Sequence, residues 1–227
     1  MSWRGTQSDS RKRYLEKFDS DEVDRYESWI LQLTREDDEA VLSDISSVFK
    51  FSEGMSILDV GAGTGALCNI LSKVPNLFLT ALEPSPVMLE KLKAKPELNR
   101  VTVVEGFCDS HNDCDLFDDS SFDVIVSRQL VNGLFDPISA FKNWHRWLKN
   151  GGTVIVIDGL YDRSAWAGKW EEEIDVLPLS ACQTTATIPY LLEATGFKVN
   201  TSNYMNSTNL APSTRTKRYI VSATKYT

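Results

Sequence analysis

No run of about eighteen apolar residues occurs anywhere in the chain, so nothing in it reads as a membrane-spanning helix. Its start, Met1 to Tyr14, is polar and basic with no apolar stretch behind it, which is not the pattern of a secretory signal. A cytoplasmic protein is therefore expected. Cysteine is scarce: Cys68, Cys108, Cys114 and Cys182 stand without framework spacing, which fits reduced thiols better than disulfides. Positive charge is also short, with 24 Lys and Arg against 32 Asp and Glu and a net charge of -8. That balance lacks the cationic surplus that neutralises phosphates and argues against nucleic acid as the partner. Histidine occurs only as His111 and His145, which leaves few candidates for a general base.

What the chain does have is enough apolar material for one core. Its 227 residues are 42% hydrophobic and 10% aromatic, sufficient for a single domain and too few for two full enzyme domains. Acidic clusters at 19–27, 36–39 and 113–119 read as solvated helix faces and loops. After a polar arm, Val23, Tyr26, Ile30 and Leu33 recur at helical spacing, and Val41, Ile45, Val48 and Phe49 repeat the pattern. Short apolar runs at 56–60, 77–82, 100–104, 122–127 and 153–157 read as strands, separated by helical stripes at 67–74, 86–93 and 137–148. Strands alternating with helices predict a single α/β domain with a doubly wound, mostly parallel sheet. Beyond a helix near 188–194, strands at 197–204 and 218–223 follow with no helix predicted between them, so an antiparallel hairpin at the sheet edge is expected. The division anticipated is 1–50 as arm and lid helices and 51–227 as the domain proper.

The decisive stretch is Ile57-Leu58-Asp59-Val60-Gly61-Ala62-Gly63-Thr64-Gly65-Ala66-Leu67, a strand running through a glycine-rich turn into a helix. Glycines let a backbone turn sharply and approach a ligand closely. A dinucleotide fingerprint also fits Gly61-x-Gly63-x-x-Ala66. Asp59 separates the readings, because a carboxylate at the strand's end suits a cationic amino group and would repel a pyrophosphate. Glu83, about twenty residues beyond the glycines, can accept hydrogen bonds from ribose hydroxyls and so indicates an adenosine-type ligand of either kind.

Leu58 to Gly65, Leu82-Glu83-Pro84, Ser121 to Ile125 and Leu148-Lys149-Asn150-Gly151-Gly152 together resemble the class I S-adenosylmethionine-dependent methyltransferases, in particular the group containing ubiquinone and menaquinone biosynthesis methyltransferases. The resemblance is strong from about 56 to 158 and weak over the hairpin. It implies a Rossmann-like seven-stranded sheet with the last strand antiparallel and with N-terminal helices over the active-site edge. S-adenosylmethionine is the implied cofactor and S-adenosylhomocysteine the product. Asp59 with Gly61, Ala62, Gly63 and Gly65 would hold the methionyl part, and Glu83, with Pro84 and Met88 beside it, the ribose end. Ser127, Arg128, Gln129 and Leu130 would flank the reactive sulfur. In place of the family's usual Gly-Asp-Ala-type segment stands Gly106-Phe107-Cys108-Asp109-Ser110, so the adenine contact falls at Cys108 and Asp109, with stacking on Phe107 the alternative. Cys108-x-x-His111-x-x-Cys114 offers three ligands where structural zinc wants four, and no metal is expected.

The acceptor pocket should open at the carboxyl ends of the strands. Tyr14, Phe18 and Tyr26 on the leading segments, and Asp158, Tyr161, Trp166 and Trp170 after the fifth strand, are the residues expected to bind it. Aromatic walls suit an apolar or planar small molecule, although Trp166 and Trp170, four apart, could equally form the buried side of a helix. No catalytic residue is assigned, and the acceptor atom (oxygen, nitrogen or carbon) and the oligomeric state stay open. Two rival functions remain: a nicotinamide-dependent oxidoreductase using the same loop, and a non-catalytic cofactor-binding subunit.

Overall fold

In the computed structural model, which describes residues 3–165, 168–214 and 216–226, three helices lead: α1 (Trp3–Lys17), α2 (Ser20–Ile30) and α3 (Arg35–Val48). The alternating part follows as β1 (Ser56–Val60), α4 (Ala66–Leu71), β2 (Phe78–Glu83), α5 (Pro86–Lys93), β3 (Thr102–Glu105), β4 (Phe122–Arg128), α6 (Pro137–Trp147) and β5 (Leu148–Gly159). It closes with α7 (Thr187–Ala194), β6 (Phe197–Tyr204), α8 (Asn206–Leu210) and β7 (Arg218–Lys225). One seven-stranded sheet results, in the order β3-β2-β1-β4-β5-β7-β6. Every neighbouring pair from β3 to β5 is parallel, and β7 lies antiparallel between β5 and β6. The expected doubly wound sheet with an antiparallel last strand is what forms.

The central strands are apolar over most of their length because both faces are covered, with the polar residues Asp59, Glu83, Ser127 and Arg128 at their carboxyl ends. Ile57, Val124, Val126, Ile155 and Ile157 face α3 and α4, packing with Val41, Ile45, Leu67 and Ile70. Their alternate neighbours Leu58, Val60, Ile125, Val154 and Val156 face α6 and α7, against Phe141, Trp144, Trp147 and Leu192. Each such side chain contributes about 1.5–3 kcal/mol on burial. Asp136 caps α6 by accepting from the Ser139 N–H at 3.0 Å, and Pro137 occupies the first turn, where its missing N–H costs nothing. Val41 is 3% exposed and Ile45 fully buried, so α3 is a layer of the core, and α1 and α2 alone lie over the site.

Two elements differ from the sequence expectation. The polar arm is helix α1, and a short helix, α8, interrupts the hairpin. Neither carries a helical stripe of its own; distant partners hold both. In α1, the Gln7 amide donates to the Phe135 carbonyl at 3.0 Å and the Arg11 guanidinium donates to Asp109. In α8, the Ser207 and Thr208 N–H groups donate to the Asp44 carboxylate of α3 at 3.0 and 2.7 Å. Ion pairs dock α2 on the segment following β2, Lys91 with Asp24 at 2.6 Å and Lys95 with Glu27 at 2.7 Å. Lys95 also donates to the Thr64 carbonyl at 2.7 Å, tying α2 to the glycine turn. Among the described residues no helix is long and apolar enough to cross a membrane.

Candidate functional site

The strand order reverses between β1 and β4, which opens a crevice at their carboxyl ends. The glycine turn fills one wall of it. Gly61, Gly63 and Gly65 have φ of 70°, 56° and 89°, a region that costs other residues about 1–2 kcal/mol each. The Gly61 and Ala62 N–H groups donate to the Leu82 carbonyl at 2.8 and 3.1 Å, which fastens the turn to the end of β2. A Cβ on Gly61 would lie 2.7 Å from Leu130 Cδ1, so only glycine allows the leucine to rest on the turn.

Two buried carboxylates face this turn. Glu83 Oε2 accepts from the Gly63 N–H at 3.0 Å and Oε1 from the Ser85 N–H at 2.9 Å, leaving each oxygen a second lone pair for a hydroxyl donor. Asp59, 2% exposed, accepts from the Cys68 thiol at 3.1 Å and makes no salt bridge among the described residues. Burial pushes Asp59 up to about 6, against the Cys68 hydrogen bond and the charge of Arg128. It pushes Glu83 up to about 7, against the N–H groups of Ser85 and Gly63. Asp158, at the end of β5, is likewise raised by burial to about 6, although it accepts from the Gly159 and Asn132 N–H groups at 2.7 and 3.2 Å.

These shifts carry a sign. Between the unfolded values near 4 and the folded values of about 6 and 7, the folded chain holds more protons than the unfolded one. Stability therefore falls as pH rises through that window, and the penalty levels off roughly a unit above the Glu83 value of about 7. The ligand-free protein is expected to lose several degrees of Tm between pH 5 and pH 7.5. A melting curve that rises steadily across the same range would contradict this.

The other wall comes from β4 and the loops beside it. Ser127 is fully buried, and its hydroxyl has no hydrogen-bond partner among the described residues. Gln129 adopts φ 56°, and its N–H donates to the Ile157 carbonyl at 2.8 Å. Pro84, Phe107, Cys108, Leu130 and Tyr14 enclose a narrow apolar slot next to Gly61. Met88, on α5, sits where a Gly63 Cβ would lie 3.5 Å from its sulfur. Asp109 lines the slot too, but its carboxylate is taken up in holding the loop: Oδ2 accepts from the Phe135 and Asp136 N–H groups at 2.8 and 2.9 Å, and Arg11 pairs with it at 3.2 Å.

The expected acceptor residues divide into two groups. Tyr14, Phe18 and Trp170 pack edge-on or tilted with centroids 5.0–5.4 Å apart, and Tyr14 also meets Phe135 at 5.6 Å. Tyr26 leans on Trp29 near Gly63, with its hydroxyl 4.0 Å from where a Gly63 Cβ would be. On the far side, Tyr161 lies beneath Arg218 and accepts a hydrogen bond from it. Trp166 lies outside the described residues. His145 packs on the Phe197 ring at 5.1 Å, and His111 lines a separate polar cleft beside α1. Cys108 is buried whereas His111 is exposed, and among the described residues no cluster of His, Cys, Asp or Glu could hold a metal. Sequence reasoning missed Cys68 and Arg11. Cys68 had a readable signal, since it falls on the inward stripe of the helix that follows the glycines.

Residues 58–156 match the family described as Methyltransferase domain. Over that segment the chain is similar to this family. Over 109 residues the chain is 34% identical to a demethylmenaquinone methyltransferase of Chlorobaculum tepidum, covering 48% of this chain and 43% of that protein. It is also 34% identical over 109 residues to 2-methyl-6-phytyl-1,4-hydroquinone methyltransferase 1, chloroplastic, of Oryza sativa subsp. japonica, covering 47% and 32% respectively. The chain thus spans less than half the length of these relatives. A solved S-adenosylmethionine-dependent methyltransferase from Aquifex aeolicus shares the fold with a TM-score of 0.65 at 19% identity, covering 91% of this chain and 98% of that one. The glycine turn and the ends of β1, β2 and β4 fall inside the matched segment. Helices α1 and α2, residues 160–185 and α8 fall outside it.

Proposed function

We propose that this chain transfers the methyl group of S-adenosylmethionine to a small-molecule acceptor. The observation that carries the reading is the Asp59 carboxylate, buried at the tip of β1 beside a turn of three left-handed glycines, with no salt bridge among the described residues and only the more distant charge of Arg128 acting on it. An amino-acid head group supplies a close cation, and a dinucleotide pyrophosphate would be repelled there. Glu83 has lone pairs to spare for ribose hydroxyls, the Ser127 hydroxyl is unpartnered, and the apolar slot by Phe107 suits a purine face. At about 40 Å³ the slot now has room for a few waters at most. Entry of a nucleoside therefore requires Tyr14 and Leu130 to move aside, which makes α1 the part of the lid that opens.

When bound, the cofactor supplies an activated methyl on a positively charged sulfur. What remains for the protein is alignment and exclusion of water, which can be worth up to roughly 7–11 kcal/mol. Asp59 and the turn fix the donor, the aromatic cluster of Tyr14, Phe18 and Trp170 closes over it, and no histidine is in reach of the turn among the described residues. The named relatives act on quinone-type compounds. Their matched segment supports the donor half of the reading, since it holds the glycine turn and the ends of β1 and β2 while α1, α2 and residues 160–185 lie outside it. Calorimetric titration with S-adenosylhomocysteine beside NAD and NADP tests the proposal. Saturable binding of the thioether alone is expected, and uptake of a nicotinamide dinucleotide in its place would overturn it.

A further inference from the structure

A second cavity, of about 350 Å³, opens on the α3 side of the sheet where β4 and β5 end and β7 begins. Trp29, Val41, Arg128, Ile157, Met205 and Arg218 are among the residues of its wall, and no residue of the glycine turn lines it. Asp59 is in register with Val126, two residues before Arg128, so Asp59 and Arg128 project from the same face of the sheet. The cavity thus lies beside the donor site and is separate from it.

Most of the charges in this cavity are already paired. Asp38 pairs with Lys73 at 2.7 Å, and Asp37 closes the Thr34 capping box and accepts from the Ser213 hydroxyl. Arg218 donates to the Tyr161 hydroxyl and, with the Gln129 amide turned so that its oxygen faces the guanidinium, to Gln129 at 2.6 Å. Arg128 is the exception: it is partly buried, faces the cavity and makes no hydrogen bond or ion pair with any described residue. Thr208, also on the wall, has a buried hydroxyl with no partner among the described residues. Left-handed Gln129 sits at the rim, and strained backbone of this kind gathers at ligand sites. The charges of Asp38 and Asp59 act on Arg128 across space without a hydrogen bond, so its donors stay unmatched, and a guanidinium matches a carboxylate with two parallel hydrogen bonds.

We infer that this cavity is the acceptor pocket and that its ligand carries a carboxylate seated on Arg128, with an apolar body against Trp29, Val41, Ile157 and Met205. The inference rests on the methyl-transfer reading, which makes the occupant an acceptor. The volume stands at the lower end of the ~300–1,000 Å³ of small-molecule sites, which suits a single-ring or short-chain acid and not a phytyl hydroquinone.

Benzoate, phenylacetate and 3-phenylpropanoate, each beside its primary amide, serve as probes in calorimetry and thermal shift on protein saturated with S-adenosylhomocysteine. At least one acid is expected to bind, with its amide tenfold or more weaker. Arg128→Met should remove that preference, and Arg128→Lys, which keeps the charge without the fork, should retain part of it. S-adenosylhomocysteine is titrated into all three proteins. Equal binding of acids and amides, no acid binding at all, or an acid preference that survives Arg128→Met overturns the inference. So does an Arg128→Met protein that loses the thioether and keeps the acid, for then Arg128 serves the donor. A wild-type protein that fails to bind the thioether overturns the proposed function instead, and the acid titrations, repeated without it, still decide whether Arg128 seats a carboxylate.

Discussion

Asp59→Asn is expected to weaken S-adenosylhomocysteine binding roughly 10- to 150-fold, the equivalent of the ~1.5–3 kcal/mol carried by a hydrogen bond to a charged group. Asparagine keeps the shape and one acceptor for the Cys68 thiol, so the fold is preserved and the loss falls on the ligand's ammonium group. The same substitution should leave the ligand-free protein as stable or more stable at pH 8. There the wild-type carboxylate is ionised in a site where burial has raised its pKa to about 6, and the neutral amide avoids that penalty. Weaker binding with undiminished stability is the signature of a residue kept for function at the expense of the fold. The measurements are calorimetry and a melting curve on the same preparation. Affinity within threefold of wild type would remove Asp59 from the binding site, and a loss of several degrees would make it a structural residue.

Much of the sheet could be read from the chain because its signals are local. Ile57 to Val60, apart from Asp59, and Val154 to Ile157 are apolar without alternation, as strands buried on both faces must be, and the glycines that follow β1 mark its end. What could not be read depends on partners far away in sequence. Helix α1 is fixed through Arg11 to Asp109, and α8 through Asp44, more than 160 residues earlier. Asp109 shows the same limit within the site. Its residue type and position suited a ligand contact, yet the acceptor capacity goes largely to the Phe135 and Asp136 N–H groups and to Arg11. Arg128 was legible as a residue near the donor, but its projection into a second cavity follows from the register of β4 against β1, which no local pattern encodes. Tyr14 and Phe18 from the leading helix and Trp170 from beyond β5 pack together, whereas Tyr161 lies with Arg218 on the other side.

Gly65→Ala should be among the most damaging single changes to the fold, and Gly54→Ala provides its control. Both glycines have left-handed backbone, with φ of 89° and 81°, so alanine pays a similar conformational penalty of about 1–2 kcal/mol at either site. Their surroundings differ. Around Gly54 nothing lies within 4 Å of the added carbon, whereas at Gly65 it would stand 2.6 Å from Leu98 Cδ1 and 3.0 Å from Leu92 Cγ. Leu92 is fully buried and Leu98 is 3% exposed, in a cluster with Ala62, Cys68 and Ala81, so neither can withdraw without disturbing the base of the glycine turn. Overpacking of that kind costs about 1–3 kcal/mol more. The expected totals are about 1–2 kcal/mol for Gly54→Ala and about 2–5 kcal/mol for Gly65→Ala, against a whole-domain stability of roughly 5–15 kcal/mol. At about 2–4 °C per kcal/mol for a chain of this length, Gly65→Ala should melt some ~5–15 °C below wild type and the control only a few degrees below. Equal losses would show that backbone conformation alone governs both positions and that the turn is not wedged against Leu92 and Leu98. A larger loss at Gly65, accompanied by weaker S-adenosylhomocysteine binding, would tie the packing under the turn to the geometry of the donor site above it.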